Sequence, residues 1–148
     1  RDGTVDTARM AVGGHSYGAS TAASLLAHTD LFQAGVCWSG AYNRTLTAYG
    51  FQSEERTLWQ APEVYAAMSP FLFADRIRAP VLLVHGEEDD NSGTRPEQSV
   101  RFFEALRAHG AVARLVLLPH EGHAYQARES LLRVLGEMDE WLGRWVKG

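Results

Sequence analysis

A five-residue pattern near the start of the chain limits the folds available to it. Gly14, Ser16 and Gly18 form the sequence G-x-S-x-G, after the apolar run 10–12 and before the helix-like run 19–27. This arrangement predicts a strand that ends in a cramped turn, with the serine hydroxyl exposed where a helix begins. We expect both glycines to allow a backbone approach too close for any Cβ. An ordinary strand-to-helix turn is the alternative interpretation.

The hydrophobic pattern predicts alternating strands and helices along the chain. A helix between consecutive strands implies that the strands pair in parallel. The order of elements therefore predicts an α/β fold with a mostly parallel sheet and flanking helices. The expected segments are strand 10–13, helix 20–28, strand 34–38, a short helix from 61–63 to 69–70, strand 80–86, helix 95–109, strand 112–118 and helix 126–146.

The last predicted helix carries an apolar stripe at helical spacing. Such a stripe predicts core packing, and we assign it no other role. Its members are Leu131, Leu135, Met138, Leu142 and Trp145.

The segment 43–79 is irregular and rich in aromatic residues. A connection of this length within a compact domain often has a function. Packing against the sheet and forming a wall of a binding site are both open interpretations, and one segment can do both.

The composition excludes several classes of protein. The net charge is −4 and the isoelectric point is about 5.8, which argues against a nucleic-acid partner because phosphate binding needs a basic face. No apolar run approaches the ~18 residues of a membrane span, so we expect no membrane contact. The single cysteine, Cys37, rules out an internal disulfide and is most simply a small buried hydrophobe.

Three residues with reactive side chains follow predicted strands. Ser16 follows the first strand, Asp89 the third and His123 the fourth. In an open α/β sheet the site lies beyond the carboxyl ends of the strands, so we expect the three side chains to meet. A serine hydroxyl needs a base to accept its proton, and a histidine can be that base. An ionised aspartate can hold the imidazole in the required tautomer.

The chain order of these residues supports the same chemistry. Serine, then aspartate, then histidine is the order in the α/β-hydrolases. The backbone N–H of Tyr17, directly after Ser16, is expected to donate to the oxyanion of an acyl-transfer reaction. The pattern predicts a hydrolase with a triad of Ser16, Asp89 and His123 that forms an acyl-enzyme and needs no cofactor.

Neighbouring residues allow plainer interpretations of this site. Asp90 adjoins Asp89, and acidic residues after a strand are often solvated loop charges. The spacing H-E-G-H at 120–123 departs from the H-E-x-x-H of helical zinc sites, so we expect no metal. Lone histidines are interpreted as structural, namely His15, His28, His85, His109 and His120.

Several segments resemble the catalytic domain of the prolyl oligopeptidase family of serine peptidases. They are G-G-H-S-Y-G-A at 13–19, H-G-E-E-D-D-N at 85–91 and H-E-G-H at 120–123. Three further segments are similar to the glutamyl endopeptidase branch of that family, known from chloroplasts and bacteria. These are residues 39–47, 50–52 and 54–59, and the resemblance covers essentially all 148 residues.

The resemblance implies a role for each triad member: Ser16 is the nucleophile, His123 the base and Asp89, the first of the aspartate pair, the acid. It also implies that 1–148 is a single partial domain, the C-terminal half of an α/β-hydrolase fold. The N-terminal strands and the family's β-propeller would then be absent. We therefore expect a peptide as substrate and, as partner, the remainder of the protein or a second chain. An open edge beside the serine strand would otherwise invite aggregation.

The glutamyl endopeptidase branch suggests a preference for glutamate on the acyl side of the scissile bond. An arginine binds such a carboxylate best when it donates two hydrogen bonds. Arg44, Arg56 and Arg95 are candidates, and the alternative for each is an ordinary surface arginine.

Two other functions remain open for the same fold. The G-x-S-x-G turn and the triad do not distinguish amide from ester substrates, so a carboxylesterase or lipase-like hydrolase is one alternative. A non-catalytic interaction module is the other.

Overall fold

The structure is a computed structural model that describes residues 6–148. Its strands are β1 (Ala11–His15), β2 (Ala34–Trp38), β3 (Val81–Gly86) and β4 (Ala113–Leu118). Its α-helices are α1 (Tyr17–His28), α2 (Pro62–Ala67), α3 (Glu97–Ala108) and α4 (Arg128–Leu142). Short 3-10 helices cover Arg44–Thr47 and Pro70–Arg76, and a π-helical turn covers Gly143–Lys147. None of the described helices is long and apolar enough to cross a membrane.

The four strands form one parallel sheet in the order β1-β2-β3-β4. β3 is buried along its whole length, as expected for a central strand with both faces covered. One face packs against α1 and α3 in a cluster that includes Ala23, Leu83 and Phe102. The other packs against α4 in a cluster that includes Val84 and Trp141. The predicted α/β fold with a parallel sheet and flanking helices is confirmed.

β1 occupies one edge of this sheet, and its residues alternate between exposed and half-buried. Among residues 6–148, no strand pairs with its outer edge. Pairing of this edge with the remainder of the protein or with a second chain stays a prediction.

The apolar stripe expected on α4 is wrong in its N-terminal half. Leu131 and Leu135 are 44% and 61% exposed, whereas Glu137 is 7% exposed. Glu137 pairs with Arg114 of β4 at 2.6 Å. Because this ion pair turns an acidic residue toward the sheet, the buried face of the helix is displaced from the one that apolar spacing indicates. The residues that face the sheet are Val134, Glu137, Met138, Trp141, Leu142 and Trp145.

The irregular segment between β2 and β3 contributes both to the core and to a cavity. Tyr65 of α2 and Ile77 are fully buried, and the Tyr65 hydroxyl donates to the Arg56 carbonyl at 2.8 Å. Residues 44–52 line a cavity beside the end of β1. The packing interpretation is therefore confirmed for part of this segment, and a binding role for the part that lines the cavity stays a prediction.

Candidate active site

The turn between β1 and α1 holds Ser16 in an unusual backbone conformation. Ser16 has φ 58° and ψ −118°, a region that costs a residue with a Cβ of order 1–3 kcal/mol. A Cβ on Gly14 would lie 2.5 Å from the carbonyl carbon of Gly18, so this turn needs glycine at 14. A Cβ on Gly18 would meet no atom of residues 6–148 within 4 Å, so within this part of the chain the expectation that both glycines are sterically required is wrong for Gly18. Ser16 thus lies just before the positive N-terminal end of α1.

Asp89 lies in the loop after β3, and its carboxylate is buried. Its side chain is 0% exposed, whereas the neighbouring Asp90 is exposed. A Cβ on Gly86 would come within 2.3 Å of the carbonyl oxygen of Glu121. Glycine at the end of β3 therefore lets the 120–123 loop pass close by, and this approach brings His123 to Asp89.

Ser16, His123 and Asp89 form a continuous chain of hydrogen bonds. Nε2 of His123 lies 3.0 Å from Oγ of Ser16, and Nδ1 of His123 lies 2.8 Å from Oδ2 of Asp89. A carboxylate only accepts, so Nδ1 carries the proton and Nε2 is free to accept from the serine hydroxyl. The imidazole is 25% exposed, so it is open to a substrate while the carboxylate is shielded from water. This geometry allows the histidine to take the serine proton.

Further donors surround the Asp89 carboxylate. Its Oδ1 accepts from the Asn91 N–H at 3.0 Å. The Thr94 hydroxyl lies 3.2 Å from Oδ2 of Asp89 and 3.0 Å from Nδ1 of His123, and Nε2 of His85 lies 3.1 Å from the same Oδ2. Sequence reasoning missed Thr94, since nothing in the local pattern singles it out.

His85 lies behind Asp89 and is fully buried. Its Nε2 faces the carboxylate of Asp89 and the carbonyl oxygen of Thr94, at 3.1 and 2.5 Å. Both groups only accept, so Nε2 carries the proton. Burial lowers the pKa of His85, which keeps the ring neutral and lets Nδ1 accept from the Ser99 hydroxyl at 2.6 Å. His85 therefore joins the Asp89 carboxylate to Thr94 and Ser99 in the interior.

Two contacts hold the loop that carries His123. Nε2 of His15 lies 2.7 Å from the carbonyl oxygen of His123 and donates to it. The Tyr125 hydroxyl donates to the Val84 carbonyl at 3.1 Å and lies 2.9 Å from Oγ of Ser39. Burial raises the pKa of Tyr125 to about 12, so this hydroxyl keeps its proton. Both contacts join the loop to the carboxyl ends of the strands.

A cavity of about 660 Å³ opens beside Ser16 and is also lined by Tyr17, Arg44 and Phe51. Arg44 is only 2% exposed. Its Nε and Nη2 have no hydrogen-bond partner among the described residues. The guanidinium carbon lies 4.5 Å from the centre of the Phe51 ring and 5.9 Å from that of Tyr17. Burial lowers the pKa of Arg44. Its guanidinium faces two aromatic rings beside the serine, and it makes no ion pair within residues 6–148.

The other two candidate arginines have different surroundings. Nη2 of Arg56 lies 2.7 Å from the carboxylate of Glu54. Hydrogen bonds from the side chain and the backbone N–H of Arg56 lower the pKa of Glu54 to about 2. Arg95 is exposed and lines a smaller cavity of about 190 Å³. Only Arg44 of the three lines the cavity that contains Ser16.

The H-E-G-H segment distributes its side chains among separate partners. Nδ1 of His120 lies 2.9 Å from Glu88 at the surface, whereas His123 contacts Ser16. Glu121 accepts from the backbone N–H groups of 126 and 127 at 2.8 and 2.9 Å, just before α4. Within residues 6–148, no group of three or more His, Cys, Asp and Glu side chains is arranged to hold a metal ion.

Known proteins resemble this chain over nearly all of its length. The sequence model of the prolyl oligopeptidase family matches residues 1–148. The chain is 59% identical over 146 residues to an Arabidopsis thaliana protein described as "Probable glutamyl endopeptidase, chloroplastic", a match that covers 98% of this chain and 15% of the relative. A protein of Oryza sativa subsp. japonica with the same description is 57% identical, and the match covers 16% of its length.

A crystal structure gives the corresponding match in three dimensions. The structure of a puromycin hydrolase superposes with a TM-score of 0.84 and 31% identity, over 97% of this chain and 23% of that one. The chain thus spans 15–16% of the length of the two curated relatives.

Proposed function

This chain belongs to the prolyl oligopeptidase family, and we propose that Ser16, His123 and Asp89 are the catalytic triad of a serine peptidase. The observation that carries the proposal is the chain of hydrogen bonds from Ser16 Oγ through His123 to Asp89, at 3.0 and 2.8 Å. Peptide bonds are the expected substrate, because the two curated relatives are described as endopeptidases.

The reaction is acyl transfer through an acyl-enzyme. Ser16 Oγ attacks the scissile carbonyl carbon while His123 Nε2 takes its proton. The Tyr17 N–H, which has no acceptor inside α1, donates to the oxyanion. The imidazolium then protonates the leaving amine as the C–N bond breaks. Water, deprotonated by His123, then attacks the acyl carbonyl carbon. The ester bond to Ser16 breaks, the acid leaves and His123 returns the proton to Ser16 Oγ, while Asp89 stabilises the imidazole whenever it is charged.

A fluorophosphonate probe on the whole protein that contains this chain tests the nucleophile. We expect labelling and peptide hydrolysis in the wild type and neither in Ser16→Ala, with turnover about 10⁶-fold lower. Ser53→Ala, at an exposed loop serine, is the matched control and should label normally. Labelling that survives Ser16→Ala would contradict the proposal.

Two further outcomes of this experiment separate the alternative functions. A wild type that neither labels nor hydrolyses would indicate a non-catalytic module. Hydrolysis of short acyl esters without hydrolysis of peptides would indicate a carboxylesterase.

The proposal extends to specificity: Arg44 binds an acidic side chain on the acyl side of the scissile bond. Its guanidinium is buried, lies beside Ser16 and lacks hydrogen-bond partners at Nε and Nη2 among the described residues. A planar guanidinium binds a carboxylate through two charge-assisted hydrogen bonds. A glutamate side chain would therefore supply an acceptor and the missing counter-charge to the guanidinium. The description of the two curated relatives as glutamyl endopeptidases supports the same preference.

Matched peptides that carry Glu or Gln at the acyl-side position test this preference. Glu and Gln have nearly the same shape, so the ratio of their kcat/KM values reports the charge. We expect the wild type to favour Glu about 100-fold, as for a buried charge-assisted pair, and Arg44→Met to bring the ratio near one. Arg56→Met and Arg95→Met are the controls and should keep the wild-type ratio. An unchanged ratio in Arg44→Met would refute the assignment.

A further inference from the structure

We propose that Thr94 is a positioning residue of the triad, whose hydroxyl holds the Asp89 carboxylate and the His123 imidazole in register. This inference rests on the proposed function, since it assigns a role within the same catalytic unit. It goes beyond that function because a Ser-His-Asp triad does not by itself call for a hydroxyl at this place.

The Thr94 hydroxyl contacts the acid and the base at once. Its Oγ1 lies 3.2 Å from Oδ2 and 3.4 Å from Oδ1 of Asp89, and 3.0 Å from Nδ1 of His123. The carboxylate only accepts, so the hydroxyl proton goes to Asp89, and the oxygen lone pairs are left to face the Nδ1–H of His123. One hydroxyl thus donates to the acid and accepts from the base. Thr94 is 5% exposed, so water has little access to these bonds.

The backbone of Thr94 is held by the scaffold on both sides. Its N–H donates to the Asn91 carbonyl at 3.1 Å, and its carbonyl accepts from Nε2 of His85. His85 belongs to β3 and is held in turn by Ser99 of α3. The hydroxyl position is therefore set by a central strand and a helix, the kind of support that keeps a catalytic group in place.

The hydroxyl matters most when His123 becomes charged. The imidazolium Nδ1–H then has two oxygen neighbours, one on Asp89 and one on Thr94, and a rotation of the ring would weaken both contacts. A valine at 94 would place a methyl group against the carboxylate, remove one donor from Asp89 and leave the ring with a single acceptor. Because the charge on His123 develops during the reaction, the loss belongs in kcat and not in KM.

Thr94→Val, Thr94→Ala and Thr94→Ser, made in the whole protein, test the proposal by steady-state peptide hydrolysis. Titration with a fluorophosphonate counts the active sites, so that kcat refers to folded enzyme. We expect Thr94→Val and Thr94→Ala to lower kcat about tenfold with KM within about twofold. Thr94→Ser, which keeps the hydroxyl, should recover most of the loss. Thr29→Val, which removes a threonine hydroxyl at the C-terminal end of α1, should match the wild type in kcat and KM.

The outcomes separate Thr94 from the triad itself. Equal losses in Thr94→Ser and Thr94→Val, or a loss confined to KM, would overturn the proposal and assign Thr94 a packing role. If Thr94→Val has the wild-type kcat and its activity still depends on Ser16, the role of Thr94 is refuted and the proposed triad is not. Activity that survives Ser16→Ala would refute the proposed triad and the role of Thr94 together.

Discussion

Asp89 and Arg44 are both buried charged side chains near the carboxyl ends of the strands, and their surroundings are opposite. Asp89 is hydrogen-bonded to His123, Thr94 and His85. Arg44 is 2% exposed, yet its Nε and Nη2 have no acceptor among residues 6–148. One charge is surrounded by partners from the same chain, and the other faces aromatic rings.

This difference matches the two roles that we propose, catalysis for Asp89 and recognition for Arg44. Burying a charge is costly unless hydrogen bonds and an opposite charge compensate for it. Asp89 is compensated within the chain, so its orientation is set before any substrate arrives, as a catalytic group requires. In the proposed function, Arg44 gains its compensation when a carboxylate enters the cavity, as a specificity group requires. The predictions below test each side of this contrast.

Asp89→Asn is the strongest test of the compensated charge. We expect kcat to fall about 10⁴-fold, because a neutral amide no longer selects the His123 tautomer that accepts the serine proton. Asp90→Asn, at the adjacent exposed position, is the matched control and should stay near wild type. Comparable losses in the two variants of the whole protein, measured by peptide hydrolysis, would show that Asp89 has no special role.

Gly86→Ala tests whether the 120–123 loop must lie close to β3 for His123 to contact Asp89. The added Cβ would lie 2.3 Å from the Glu121 carbonyl oxygen, so the loop with His123 must move. A displacement of about 1 Å can cost roughly 100-fold in rate, which is the loss in kcat that we expect. Gly136→Ala on α4, where a Cβ meets no atom of the described residues within 4 Å, is the control. Full activity in Gly86→Ala would contradict this account of the loop.

Arg44→Met tests the uncompensated charge through stability. Replacing an unpaired buried charge with an apolar side chain of similar length should raise the free energy of unfolding by about 1–3 kcal/mol, while the preference for Glu is lost. Urea unfolding without substrate measures the free energy of unfolding. Arg56→Met, at an exposed ion pair, should change this free energy far less. A destabilised Arg44→Met would mean that the guanidinium is compensated in the free protein.

Glu137 is a third buried charge, paired like Asp89 but away from the cavity. Its hydrogen bond with Arg114 is the largest cause that lowers the pKa of Glu137. Because the folded-state pKa is depressed, the stabilisation is present above the ordinary carboxyl pKa and is lost as the pH falls through the folded value. We expect Glu137→Gln to be less stable by about 1 kcal/mol at pH 7.

The pH dependence of unfolding checks this sign. The difference between wild type and Glu137→Gln should shrink as the pH falls below about 4.5. Glu55→Gln, at an exposed loop position, should show little difference at either pH. A difference that stays constant down to pH 3 would assign the effect to packing instead of to the charge of Glu137.

The elements of the fold were largely predictable, because hydrophobic periodicity is a local property of the chain. The run 80–86 predicted a strand, and the structure places β3 there with both faces covered. The stripe on α4 was predicted wrongly, because the pairing of Glu137 with Arg114 depends on which strand the helix crosses. Apolar spacing contains no information on that neighbour.

The candidate site also has a part that the sequence could predict and a part that it could not. The spacing around Ser16 and the chain order of Asp89 and His123 indicated the triad, since these motifs follow from chemistry at strand ends. The sequence could not separate Arg44 from Arg56, because the pairing of Arg56 with Glu54 and the burial of Arg44 arise from the packing of the irregular segment. Thr94 lies five residues after Asp89 and 29 before His123, and nothing in its local pattern marks it.

By itself, then, the sequence determined the α/β class, the parallel pairing of its strands and the three side chains that meet at the strand ends. These depend on periodicity and on short motifs, which act within a few residues of one another. Only the tertiary structure decided which charges are compensated, which arginine lines the cavity and which hydroxyl joins the acid to the base. Those properties depend on distances of about 3 Å between groups far apart in the chain, and such distances exist only once the sheet and its loops are assembled.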